Sequence, residues 1–247
     1  MSEILSELIG HVMLVTISNE RKRNAVDRAM EHTLLQVLKD CDERSEVRAV
    51  VVTGAGDVAF CSGHDLAEID TPAPEGPDPC AYPAQMKKPV IAAVNGHCHA
   101  AGLLLALSCD LRVASENAVF GQPGAKLGML PVGRQIMNLP RAMSSVHAVE
   151  MMMTSEPMTA TRAQSLGFLN RLTPTGEARD EALKLASAIA ANSPATVQAI
   201  KQGLRISKTG ELSAFDAFEK NTSDLLAHGP DAIEGTRAFR EKRSAKF

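Results

Sequence analysis

The chain has 247 residues, 45% of them hydrophobic, and a formal net charge of −3. That length suits one large domain, or a domain with an appendage, and the charge gives no electrostatic case for nucleic acid or an anionic membrane surface. With no tryptophan and one tyrosine, base stacking has little to rest on.

The start, Met1-Ser2-Glu3-Ile4-Leu5-Ser6-Glu7, is short and acidic, unlike a signal or transit peptide. Residues 11–17 have the β-branched character of a strand. Asp27 is a plausible N-cap for a helix to about residue 42, with Leu34, Leu35, Val37 and Leu38 on its apolar side. Residues 47–53 form the clearest buried strand, and the loop 58–66 enters a short helix in which Asp65 is the expected cap. Residues 71–83 contain Pro72, Pro74, Pro77, Pro79 and Pro83 and read as an irregular connection or a lid over a site. Strands follow at 89–94, 111–114 and 118–120, and helices at 146–153 and 161–166. Strand and helix therefore alternate, which favours an α/β fold. The last third is helical: 177–191, 195–205, 212–228 and 232–246. No apolar run reaches the ~20 residues of a membrane span. Five cysteines without a C-x-x-C pair (Cys41, Cys61, Cys80, Cys98, Cys109) point to free thiols in a reducing, cytoplasmic setting.

One stretch invites chemistry. Asn95-Gly96 breaks a strand, and the small residues Ala100, Ala101 and Gly102 open an apolar segment to Leu107. Small residues at a helix entrance let a ligand reach free N–H groups, a setting suited to an oxygen that gains negative charge. A buried helix packed tightly on a sheet fits the spacing equally well.

Three blocks together resemble the crotonase superfamily, also called the enoyl-CoA hydratase/isomerase family. They are Val50-Val51-Val52-Thr53-Gly54 with Phe60-Cys61-Ser62-Gly63-His64-Asp65-Leu66, then Lys88-Pro89-Val90-Ile91-Ala92-Ala93-Val94-Asn95-Gly96, then Cys109-Asp110-Leu111-Arg112-Val113-Ala114 with Phe120-Gly121-Gln122-Pro123. Weaker agreement runs to Phe239-Arg240-Glu241-Lys242-Arg243. The resemblance implies a crotonase-type core of stacked ββα turns over residues 1–191. It also implies a helical region, 192–247, that builds homotrimers or hexamers and completes a coenzyme A site. Members bind acyl-CoA thioesters and hold the thioester oxyanion with two backbone amides, which by position are those of His64 and Ala101. Arg23, Asn24, Ser62, His64 and Lys242, with Arg237 and Arg243, become candidates for contacting CoA. For the terminal cations, a solvated helix face is the alternative. No metal, and no cofactor beyond the CoA moiety of the substrate, is expected.

The departures from the family matter as much. Hydratases of this family use two glutamates, because water must lose a proton while the α-carbon gains one. At those positions stand Leu104 and Gly124, neither of which can move a proton. The following loop, Met129-Leu130-Pro131-Val132-Gly133-Arg134-Gln135, brings larger side chains and a cation toward the acyl pocket. His64, His97 and His99 titrate in the useful range. His64 is the first choice among them, although a satisfied loop histidine is the readier explanation. Glu68 faces either solvent or the pocket. The cluster His97-Cys98-His99 with Cys61 lacks zinc-ligand spacing, and Cys98 has no assignable base to make it a nucleophile. The expected function is an acyl-CoA enzyme with non-standard proton-transfer groups. The alternatives are a non-catalytic acyl-CoA-binding or regulatory protein, and a structural oligomer whose groove is blocked.

Overall fold

A computed structural model describes residues 2–68, 76–210 and 212–247. Residues 69–75, which include Pro72 and Pro74 of the expected lid, lie outside the described residues; Pro83 sits in a 3-10 turn, Tyr82–Ala84.

Two sheets share the core. The larger contains β1 (Glu3–Ile9), β2 (Val12–Ser18), β3 (Ala49–Gly54), β5 (Val90–Val94), β7 (Leu111–Ser115) and β10 (Arg171–Thr173), in the order β1-β2-β3-β5-β7-β10. Only the β1–β2 hairpin is antiparallel. The smaller sheet has the order β4-β6-β8-β9, from Ala59–Cys61, His97–His99, Val119–Gly121 and Met158–Thr159. Successive strand pairs β3/β4, β5/β6 and β7/β8 therefore place one strand in each sheet, which is the stacked ββα arrangement.

Residues 49–52 read as a continuous apolar run because both faces of the large sheet are covered. Side chains alternate along a strand. Val50 and Val52 point into the main core with Leu34 and Leu38 of α1 (Arg28–Glu43), Phe60 and Leu103. Ala49 and Val51 point the other way, with Ile91, Ala93 and Val113, onto α7 (Ala178–Ala190). That helix meets the sheet through Ala178, Ala182, Ala186 and Ala190, a spacing of four that keeps one small-residue face inward. Helix α2 (Ala101–Ser108) is apolar all round and is buried accordingly. Three helices close the chain: α8 (Pro194–Thr209), α9 (Leu212–Ala227) and α10 (Pro230–Glu241).

Several boundaries differ from expectation. β1 and β6 were not anticipated, nor were α3 (Gly124–Leu127) and α4 (Gln135–Ala142). The terminal helix ends at Glu241 rather than 246, because Lys242 takes a left-handed cap conformation with φ 53°. All five cysteines are free and buried. Among the described residues, no helix is long and apolar enough to cross a membrane.

Candidate active site

The loop Ser62–His64 and the entrance of α2 are pressed together. Gly102 admits no side chain, since a Cβ there would collide with the carbonyl oxygen of Cys61. Gly63, at φ 115°, would place a Cβ 3.0 Å from the Ala100 Cβ and 3.6 Å from the Ala101 nitrogen. Two buried asparagines brace this apposition. Asn24 Nδ2 donates to the carbonyls of Ala55 (3.0 Å) and Ala59 (2.6 Å), and Asn95 Nδ2 donates to those of Gly54 (3.0 Å) and Ala59 (3.1 Å).

The backbone leaves both proposed oxyanion donors available. His64 pairs with Val26 in a parallel bridge that uses the Val26 and Asp65 amides as donors to Gly63 and Val26, and not the amide of His64. Ala101 is the first residue of α2, and a helix cannot satisfy its first amides internally. Its neighbour Ala100 holds φ 51°, ψ −114°, a conformation usually reserved for glycine.

Both loops open on a cavity of about 300 Å³. Its walls are mainly apolar, with Val26, Leu66, Leu104, Leu127, Leu130 and Val132 prominent. Leu104, 1% exposed, packs beside Gly133, and Gly124 lies under the carbonyl of Met129. Both positions expected to hold glutamates therefore do line the cavity. Arg134 is exposed at the N-cap of α4 and does not supply the expected cation; its neighbour Gln135 turns inward instead and accepts from Gln122 Nε2 at 2.7 Å.

The charged side of the cavity joins His64, Asp65 and Glu68 to Arg28 and Glu31 of α1, the two that sequence reasoning did not single out. Glu31 is 2% exposed, and its carboxylate accepts from Arg28 Nη1 at 2.8 Å and meets His64 Nδ1 at 2.5 Å. Burial alone would raise this carboxyl's pKa, but the hydrogen bonds and charges of His64 and Arg28 outweigh it and hold the group below its ordinary value. His64 is thus both a cavity wall and a hydrogen-bond partner of the Glu31 carboxylate. Glu68 also lines the cavity and accepts from the Arg28 amide at 2.8 Å. Asp65 caps its turn through the Ala67 amide and pairs with Lys22.

The remaining candidates divide. The Asn24 side chain is 1% exposed and committed to the backbone, so it is a brace and not a CoA contact. Ser62 does line the cavity, with its hydroxyl donating to the Lys22 carbonyl, and Arg23 is exposed beside it in sequence. Arg243 is engaged by Glu234 and Glu241, which neutralise it within its own chain end. Cys61, Cys98 and Cys109 have thiols pushed up by burial, that of Cys61 to about 12, so they are poor nucleophiles. His99 is pushed down to about 4 by burial, His97 and Arg23. No group of three or more His, Cys, Asp and Glu side chains poised for a metal occurs among the described residues.

A family model described as enoyl-CoA hydratase/isomerase matches residues 9–247. The chain belongs to this family. A carnitinyl-CoA dehydratase of Proteus mirabilis is 34% identical, with 100% of this chain and 99% of the relative covered. A 2,3-dehydroadipyl-CoA hydratase of Escherichia coli is 36% identical, with the same coverage. The crystal structure of an enoyl-CoA hydratase from Mycobacterium tuberculosis superposes with a TM-score of 0.94 at 31% identity, over 100% of this chain and 98% of that one.

Proposed function

We propose that this family member is an enzyme acting on acyl-CoA thioesters, holding an enolate-like oxyanion between the amides of His64 and Ala101. The carrying observation is the apposition of these two backbone segments at the mouth of one apolar cavity. Two preorganised donors in a water-poor site stabilise developing negative charge, and each typically contributes on the order of 10²–10³ in rate. Backbone amides do not depend on residue type, so an alanine at position 101 can serve as a donor. The named hydratase and dehydratase relatives support the thioester class. Leu104 and Gly124 argue against hydration by two carboxylates, because neither position carries a titratable group. Residues 192–247 are the proposed oligomerisation region, and Arg237 and Lys242 are proposed to reach the CoA phosphates, in their own or a neighbouring subunit.

A panel of enoyl-, dienoyl- and β-hydroxyacyl-CoA thioesters, with calorimetric binding and turnover measured side by side, tests this. Turnover of at least one is expected. Binding without turnover of any would favour a non-catalytic acyl-CoA-binding protein, a reading that the apolar residues at both glutamate positions support. Binding of none would refute both.

A further inference from the structure

Resting on that reading and deepening it, we propose that His64 and Glu31 form the proton-transfer dyad of this site, with His64 Nε2 exchanging a proton at the thioester's α-carbon. The substrates would be thioesters whose α-hydrogen is acidified. Glu31 is a positioning residue, and His64 is the group that meets substrate.

The geometry carries this. Nδ1 is turned to the Glu31 carboxylate at 2.5 Å, so Nδ1 bears the ring proton and Nε2 is left to exchange one. The His64 side chain is 42% exposed and lines the cavity, and its own amide is one of the two oxyanion donors. Ring and oxyanion site are therefore within one residue of each other. A carboxylate in an almost wholly buried position is costly unless paired, and this one is paired twice, by Arg28 and His64. The remaining charged groups facing the ring's surroundings are spoken for: Asp65 by Lys22, and Glu68 by the Arg28 amide.

The step balances without any co-reactant. The Cα–H bond breaks, and its proton goes to the Nε2 lone pair. Its electron pair forms the Cα=C bond of the enolate, while the carbonyl π pair moves onto the oxygen between the two amides. Return of the proton to Cα completes an exchange; in a β,γ-unsaturated thioester, its return to Cγ completes a double-bond shift. One acid/base group suffices for either, whereas hydration requires two.

Phenylacetyl-CoA in D₂O, followed by NMR, reads this step directly, because its α-hydrogens are acidified and it has no double bond to hydrate. The protein is expected to wash deuterium into Cα. His64→Gln keeps the backbone amide and is expected to slow exchange at saturating phenylacetyl-CoA on the order of 10²–10⁴-fold, with binding still measurable by calorimetry. Glu31→Gln keeps an acceptor for Nδ1 but removes the charge that steadies the ring, so kcat for exchange is expected to fall with KM little changed; a purely structural role would leave kcat in place. Should Glu31→Gln lose the fold, His64→Gln still decides, since its side chain is half open to solvent. Exchange at the unaltered rate in His64→Gln, or binding with no exchange by the unaltered protein, overturns the dyad while leaving the acyl-CoA reading standing. An unchanged kcat for exchange in a folded Glu31→Gln overturns the role of Glu31. Absence of binding overturns the acyl-CoA reading, and the dyad with it.

Discussion

Ala100→Gly is expected to make the protein more stable and less active. Ala100 holds φ 51°, ψ −114° one residue before the proposed Ala101 donor. A non-glycine residue in such a sparsely populated region costs about 1–3 kcal/mol. Glycine removes that strain but adds about 0.5–1 kcal/mol of conformational entropy to the unfolded chain. The net gain is about 1 kcal/mol, which corresponds to a rise in Tm of about 2–4 °C for a chain of this length. Calorimetric melts at matched protein concentration measure it, since association shifts apparent stability. Turnover is expected to fall, because a freer backbone at residue 100 loosens the direction of the next amide, and preorganisation is what the oxyanion site contributes. An unchanged or lowered Tm would refute the strain argument, and with it the view that the cradle is held under tension.

Restoring the two glutamates by Leu104→Glu/Gly124→Glu is expected to destabilise the protein by several kcal/mol and to leave hydration undetectable. A Cβ at residue 124 would lie 2.6 Å from the Met129 carbonyl oxygen, and Leu104 fills the space beside Gly133; a well-folded, active hydratase in a coupled spectrophotometric assay would contradict this. Stability is expected to fall as pH drops from about 6.5 toward 4, because the His99 pKa is depressed to about 4 when folded and the unfolded chain then binds the extra proton. The full linkage is about 3 kcal/mol, and urea unfolding at both ends of that range should show a smaller loss in His99→Leu. Lys201→Met is expected to cost about 3 kcal/mol, near the low end for breaking a buried pair because Asp110 is 31% exposed. It strips a donor from Asp110 and from the carbonyls of Pro83 and Lys88, and a melting temperature within 1–2 °C of the parent, well short of the several degrees expected, would count against it.

The elements legible in the sequence were those whose burial is simple. Residues 47–53 show as a strand because both their faces are covered, and α1 shows because Leu34 and Leu38 recur on one face. β1 left no clean signature because nearly all of its residues are exposed, so no alternation marks it. β6 is His-Cys-His, a sequence with little strand preference of its own; pairing with β4 and β8 makes it a strand. The family motifs pointed to His64, Ala101, Leu104 and Gly124, and all four line one cavity. They also suggested Asn24 as a ligand contact, where the fold uses its amide as a brace. Glu31 carried a faint signal, an acidic residue within the apolar stripe of α1 between Met30 and Leu34. Its pairing with His64 spans 33 positions, and no local pattern announces such a contact.

The division of labour in this site explains why one half of it reads so clearly and the other does not. The proposed oxyanion cradle is made of backbone, so its requirements fall on neighbours: Gly102 for close approach, Gly63 at positive φ, and asparagines that pin the β3–β4 loop. These requirements tolerate Ala101 but not a displaced strand, and they leave a recognisable trace in sequence. Proton transfer depends on side chains, which are free to come from any wall of the cavity. Here the α2 wall and the wall after Pro123 are apolar or bare, while α1 carries a buried, doubly paired carboxylate that meets the imidazole of the Ser62–His64 loop. An apolar α1 wall would pack the cavity without the cost of burying that charge. Keeping it where it can steady His64 beside the proposed oxyanion site is the arrangement expected if the acid/base function sits between α1 and that loop, and the exchange experiment with His64→Gln separates this from a contact that only pins the loop.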